Sequence, residues 1–306
     1  MAIVSAVGGL WADLLDPIVQ FRADQAFNRR PSMIDRLFNV QGSNRAYEAV
    51  SGVGAIGIDA WDEYYNTGRI PEVDFDQGYK KTYTHREYLV DLGFEKKTVD
   101  DAQDQQVFRF GDRIGDSAAV KREVDAASVF NNAFSSSYLG ADGVALCSNS
   151  HPLSPMKTGS TQDNNFTLAL SLDNVESIRQ SMMAFTDDNT NKMAVTPTTL
   201  LVPPALGNAA RVIAGSQLDP TNANNALNPQ AGRWTVLEWH YLTDTNAWFM
   251  IDEPLMKQSL DWFNRDPFSV YIRQGDDMSV RAYWRSKMRY SFGFSDWKWI
   301  CGSNPS

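Results

Sequence analysis

The longest one-sided apolar pattern in the chain lies between Asp101 and Phe134. Val107, Phe110, Ile114, Ala118, Val124, Ala127, Phe130 and Phe134 recur in steps of three or four with one longer gap. That spacing lays one stripe on a helix, with Asp104, Arg109, Asp112, Arg113, Asp116, Lys121, Arg122 and Glu123 largely off it. Thr98 and Asp100 are placed to cap its start, and Ser135-Ser136-Ser137 followed by Gly140 to end it. Gly111 and Gly115 inside it each cost about 1 kcal/mol against alanine, so the pattern predicts a bend or break there.

A helix this long needs a long partner surface. Arg281–Phe294 offers one: Ala282, Trp284, Ser286, Met288, Tyr290, Phe292 and Phe294 alternate with Arg281, Tyr283, Arg285, Lys287, Arg289, Ser291 and Gly293. Period two predicts a half-buried strand, in a sheet packed along the helix. Its basic face is either solvated or set against acidic groups of a neighbouring chain.

The remaining patterns are shorter. Residues 1–46 mix brief apolar pieces with Arg22, Arg29, Arg30, Arg36 and Arg45, which predicts an arm with one or two short helices lying on another surface. Residues 47–78 alternate weakly around a turn at Asn66-Thr67-Gly68 and predict an outward hairpin. A lone two-stranded hairpin is marginal in water, so its stability should come from another surface, such as another copy of the chain. Tyr79–Val90 is β-prone with polar groups on both faces, and residues 140–166 are turn-rich without periodicity. Asp173–Phe185 and Ala205–Ala214 predict helices; Thr198–Val202, Trp234–Trp239 and Ala247–Ile251 predict strands. Asp219–Gly232 is a long polar loop.

At 306 residues the chain has room for about two domains with sizeable cores. Its net charge of −9 argues against a protein whose task is gripping nucleic acid. It is compatible with enclosing nucleic acid without holding it tightly. Cys147 and Cys301 cannot make a disulfide framework, and reduced thiols are expected. The apolar N-terminus has no basic leader and meets Asp13 and Asp16, and no run reaches the ~20 apolar residues of a membrane span. The expectation is a soluble chain, intracellular when made, with no membrane partner.

Candidate chemistry is thin. Gly52-Val53-Gly54-Ala55-Ile56-Gly57 is a literal G-x-G-x-x-G, but no buried strand precedes it and no full helix follows, so a flexible hinge is the better reading. Cys147 and His151 could be half of a zinc site, yet His85, His240 and Cys301 offer no second close pair. The acids Asp59, Asp62, Glu63, Glu72, Asp74 and Asp76 match neither a calcium loop nor a recognisable glycosidase pair, and suit a solvated or inter-subunit face. No serine elbow, phosphate loop or His-Glu metal helix is present. No catalytic, cofactor or metal residue is assigned.

The order of arm, outward hairpin, long helix, compact α/β region and late paired strand resembles a tailed-phage major capsid protein of the HK-ninety-seven-like fold. DGVALCSNSHPL at 142–153, TPTTLLVPPALGNAARVIAGS at 196–216 and YWRSKMRYSFGFSDWKWICGS at 283–303 are similar to head proteins of the Mu-like and related groups. The resemblance implies an α+β chain divided as an N-terminal arm (1–46), an extended loop (47–78), a peripheral domain (79–165) with spine helix 101–134, an axial domain (166–258), peripheral return strands (259–293) and a C-terminal segment (294–306). It implies Trp61, Tyr64, Tyr65, Arg69 and Ile70 of the loop as contacts with a neighbouring subunit. Arg29 and Arg30 of the arm, Asn224 and Asn225 near the symmetry axis, and Arg281, Arg285 and Arg289 of the late strand complete the contact set.

The implied partners are copies of the same chain, in hexamers and pentamers of an icosahedral head around double-stranded DNA. A separate scaffold protein, or an already processed chain, is implied, with a portal as a further partner and a decoration protein left open. Assembly would take place in the host cytoplasm, with a final place in the virion. No cofactor is implied. Cross-linking between lysine and asparagine, known in some members, is not expected, because no local motif marks a partner for Lys80 or Lys81. Two alternatives stand beside this reading: an encapsulin-like compartment shell, and a monomeric hydrolase or binding module.

Overall fold

The computed structural model describes residues 3–56, 61, 68, 70, 72, 76–95, 97, 104–156, 159–219, 226–273 and 281–305. It is an α+β fold in which helices and two separate sheets share one large core. The helices are α1 (Ile3–Phe27), α2 (Met33–Leu37), α3 (Asp104–Asn131), α4 (Leu172–Met183), α5 (Gly207–Gly215) and α6 (Glu253–Ser259). The strands are β1 (Asn39–Gly42), β2 (Tyr47–Val53), β3 (Gln77–Thr84), β4 (Arg86–Glu95), β5 (His151–Pro152), β6 (Thr161–Gln162) and β7 (Asn165–Phe166). The later ones are β8 (Thr199–Val202), β9 (Thr235–Glu238), β10 (Trp248–Ile251), β11 (Leu260–Ile272), β12 (Arg281–Phe294) and β13 (Ile300–Ser303).

The first sheet runs β1-β11-β12-β4, the second β7-β13-β10-β8-β9, and β2 pairs β3 in a hairpin of its own. In β12 the predicted alternation is present as far as Tyr290: Ala282, Trp284, Ser286, Met288 and Tyr290 are buried, while the residues between them are less so. Beyond Tyr290 it fails, because Ser291 and Gly293 of the expected polar face are buried while Phe292 is only partly so. Trp284 also gives its indole N–H to Asp16, 3.1 Å away. Full burial of an indole is worth about 4–6 kcal/mol as an upper bound.

The long helix has no break at its glycines. Asp104–Asn131 is continuous, and the capping residues Thr98 and Asp100 lie outside the described residues. Gly111 and Gly115 instead make room for α1: a Cβ on Gly115 would stand 2.1 Å from the Ala23 carbonyl, and one on Gly111 2.9 Å from the Arg22 Cβ. The expected short helices of residues 1–46 are accordingly one helix of 25 residues and one of five. Val19, Ala23, Ile34, Leu37 and Phe38 bury themselves in this same chain, and β1 joins the first sheet parallel to β11.

Placing α1 here changes how sheet and spine meet. At one end of β12, Trp284 and Ala282 pack with Val19, Ala23 and Val270, so α1 lies between. At the other end the sheet reaches α3 itself, where the Tyr290 hydroxyl donates to Asp125 at 2.7 Å. Arg122 of α3 lies over both Phe27 (5.3 Å) and Trp262 (5.2 Å), binding α1, α3 and β11 together.

The hairpin also differs in detail. Its strands are Tyr47–Val53 and Gln77–Thr84, with register Tyr47↔Thr84 and Val53↔Gln77; most of residues 57–75, including the turn at Asn66-Thr67, lies outside the described residues. Tyr79–Val90 is not one strand. It breaks at His85, where the chain passes from the hairpin into the first sheet. In the second sheet all four residues of β8, β10 and β13 are buried, which is why the short apolar runs near 200 and 250 read as strands. Among the described residues no helix is long and apolar enough to cross a membrane.

Candidate assembly surfaces

The hairpin leaves the body from a root built of three buried side chains. Tyr83 turns inward, its ring 5.3 Å from that of Phe263, and its hydroxyl donates to Asp261 at 3.3 Å. Asn39 approaches the same carboxyl at 3.5 Å. Burial pushes the Asp261 carboxyl up to about 6, against the pull of Tyr83 and Asn39. His85 sits between Ser43 Oγ (3.1 Å) and Ser291 Oγ (2.9 Å), and burial, with Arg289 nearby, lowers its pKa. These groups join β1, β3, β11 and β12 at one point.

Beyond the root the hairpin presents apolar side chains to solvent. Trp61 is 81% exposed and Ile70 76%. Val53 and Tyr47, nearer the base, are exposed as well. At roughly 150–250 Å² for an aromatic side chain, an indole left in water forgoes most of the gain its burial would bring. Tyr64, Tyr65 and Arg69 lie outside the described residues, as do Asn224 and Asn225 in the polar loop. Within the described part of that loop Leu227 is 80% exposed, although Asn228 is buried and donates to the Ile213 and Ser216 carbonyls at 2.9 and 2.8 Å.

The basic face of β12 meets acids, but they belong to its own sheet. Arg285 holds Asp91 at 2.7 Å, Arg281 holds Glu95 at 2.9 Å, and Lys287 lies 3.2 Å from both Glu87 and Asp266. Arg285, then Arg273, keep the Asp91 carboxyl down at about 2. Among the described residues no ion pair involves Arg289. Arg29 spans Asp112 (3.6 Å) and Asp116 (3.7 Å) of α3, and Arg30 lines a 610 Å³ cavity between the end of α1, α3 and Trp239–Tyr241. The described candidate contact residues therefore form no single cluster. They lie on the hairpin, the arm, the outer sheet face and the polar loop.

The decoys in the sequence resolve into structure. His151 is fully buried; its Nδ1 is 2.6 Å from Asp142 Oδ2, its Nε2 3.1 Å from Asn164 Oδ1, and it stacks on Trp297 at 4.2 Å. Cys147 packs against Gly302, and burial pushes its thiol up. Among the described residues no group of acids, histidines and cysteines is arranged to hold a metal. Gly52 of the G-x-G-x-x-G stretch lies within β2, and Gly54 N–H donates to the Asp76 carbonyl at 2.8 Å, so the first half of the stretch continues the hairpin ladder; Gly57 lies outside the described residues.

Sequence reasoning missed the root residues Tyr83, His85 and Asp261, and the side chains of Asp188 and Asn189 that hold Ala55. A break in β-alternation at His85 was the available signal for the root.

The phage capsid protein family matches residues 79–302, from the second hairpin strand to the last strand of the buried sheet. No curated protein sequence matches. The fold is similar to the capsid of the cyanophage P-SCSP1u (TM-score 0.58, 11% identity, 90% of this chain and 89% of that one). It is similar to the capsid of bacteriophage JBD30 decorated with minor capsid protein trimers (0.56, 15%, 70% and 92%). It is also similar to a virus-like particle from Pyrococcus furiosus (0.51, 11%, 94% and 98%). At these identities the structural likeness is one of fold, and the family match carries the assignment: this chain belongs to the phage capsid protein family and is a structural major capsid subunit rather than an enzyme.

Proposed function

We propose that the chain is the head subunit of a tailed phage, closing into pentamers and hexamers of an HK-ninety-seven-like icosahedral shell around double-stranded DNA. The observation that carries this is the hairpin, rooted firmly at Tyr83 and His85 while it holds Trp61 and Ile70 in water. A surface of that kind is satisfied by a neighbour, and many such modest contacts per subunit make a stable closed shell through multivalency. In this reading Trp61, Tyr64, Tyr65, Arg69 and Ile70 lie on the next subunit. The 166–258 region faces the capsomer axis with Asn224 and Asn225, and Arg29, Arg30 and Arg289 belong to lateral contacts. An acidic chain suits a container that must later release its genome.

The finer partners belong to the same proposal. A separate scaffold protein and a portal serve assembly in the host cytoplasm, and a decoration protein binds the outer face. The fold likeness to the Pyrococcus furiosus particle supports a second reading, a compartment shell without a genome. The family match favours the phage. Electron microscopy of particles from expressing cells decides: DNA-filled heads with portals support the first reading, and DNA-free cages support the second.

A further inference from the structure

One contact holds the hairpin far from its root. Ala55 lies beyond the last hairpin pair, Val53↔Gln77, and both of its backbone groups are taken by the body. Its N–H donates to both carboxylate oxygens of Asp188, at 2.9 and 3.1 Å, and its carbonyl accepts from Asn189 Nδ2. These consecutive side chains grip one residue of main chain as a partner strand would.

The loop presenting them is itself braced. Asp187 accepts from the Asn189 and Asn191 amides at 2.8 Å each, Thr190 takes a φ of 65° to close the turn, and Met193 N–H donates to the Phe185 carbonyl at 2.9 Å. Gln162 and Thr186 tie its base to β6 through the Thr186 amide, 3.2 Å from Gln162 Oε1. On the hairpin side there is no slack. A Cβ on Gly54 would stand 2.8 Å from Asp188 Oδ2 and 2.9 Å from Asp76 Cβ.

Between root and Ala55 the hairpin is also tethered by Lys81, whose ammonium donates to the Leu139 carbonyl at 2.6 Å through a long flexible side chain. The Ala55 contact is the outer one and holds the main chain itself, which limits how far the hairpin can swing. We propose that Asp188 and Asn189 form a clasp that fixes the direction in which the hairpin leaves the subunit, and so fixes where it meets the next copy. This rests on the shell reading above for its consequence, although not for the clasp itself.

The test uses the full chain with spin labels at Trp61→Cys and Val212→Cys, both exposed, while Cys147 and Cys301 stay protected by burial. Electron–electron distance measurements on the unassembled subunit should give one narrow distribution. The double variant D188A/N189A should broaden it at least twofold, and G54A, which leaves both prongs in the sequence but drives a Cβ against Asp188 Oδ2, should do the same. An unchanged width in both variants, with circular dichroism showing them folded, overturns the clasp. In assembly, both variants should turn particles of one diameter into a spread of sizes. If the variants broaden the distance but the unmodified chain never forms particles, the clasp stands and the shell reading falls.

Discussion

The Tyr83 hydroxyl donates to the buried Asp261 carboxyl across 3.3 Å, tying the hairpin strand to the body strand that carries the first sheet. Asp261 is 3% exposed and its pKa is raised to about 6 by burial. The folded state therefore holds this proton more tightly than the unfolded chain, whose carboxyl titrates near 3.8. Stability falls as pH rises from about 4 to about 6 and then levels off. Asp261→Asn removes that cost: we expect it to stabilise the subunit at pH 7.5 by about 1–3 kcal/mol and to gain little at pH 4. Urea unfolding at both pH values checks it.

His85 opposes this trend in part. Its pKa is lowered by burial, so its neutral form contributes stability above the unfolded value near 6.5 that is lost as pH falls below it. His85→Gln, which keeps hydrogen-bonding groups toward Ser43 and Ser291, should flatten the acid side of the stability curve. The slope between pH 5 and 6.5 is the measurement.

At Gly115 the main chain of α1 leaves no room for a side chain on α3. Gly115→Ala should destabilise despite the ~1 kcal/mol that alanine gains in a helix, because its Cβ would sit 2.1 Å from the Ala23 carbonyl. A net loss of about 1–3 kcal/mol is expected by denaturant unfolding. Gly215→Ala, with open space around it, should be neutral or mildly stabilising.

Much of the architecture was legible because it is amphipathic in one dimension. The alternation from Ala282 to Tyr290 faces a single buried surface, so its period survives in the sequence. The helix stripe holds at Ile114, Ala118, Ala127 and Phe130 but fails at Val124, which is 45% exposed, while Arg122 and Glu123, read as lying off the stripe, turn inward onto Trp262 and Trp239. The first helix was not legible. Its reason for being long is a groove lined by Gly111 and Gly115, about a hundred residues away, and Pro17 interrupts its pattern. The clasp was hidden for another reason: it reads the main chain of Ala55, and main-chain recognition leaves no residue type behind. The arginines of β12 carry a signal that the subunit itself partly uses. Their spacing suggested contacts outside the chain, yet Arg281 and Arg285 already have acids in the neighbouring strand.

Arg285→Ala separates these roles. Exposed ion pairs are worth about 0–1 kcal/mol, and Arg273 remains on Asp91 at 2.9 Å, so subunit stability should change by less than about 1 kcal/mol. Thermal unfolding measures that; a much larger loss of particle yield would then report a contact with another copy.

Trp61 and Ile70 separate folding from assembly most cleanly. Their double alanine variant should change subunit stability by less than about 0.5 kcal/mol, since both side chains are already in water. Removing residues 53–76 should likewise leave a folded subunit that makes no particles, as circular dichroism and electron microscopy would record.

The most direct measurement is the mass of the purified chain at high concentration, by size-exclusion chromatography with light scattering. The account predicts capsomers or closed particles, reduced to single subunits when Trp61 and Ile70 are replaced. A single species at 34.3 kDa that persists at every concentration would contradict it.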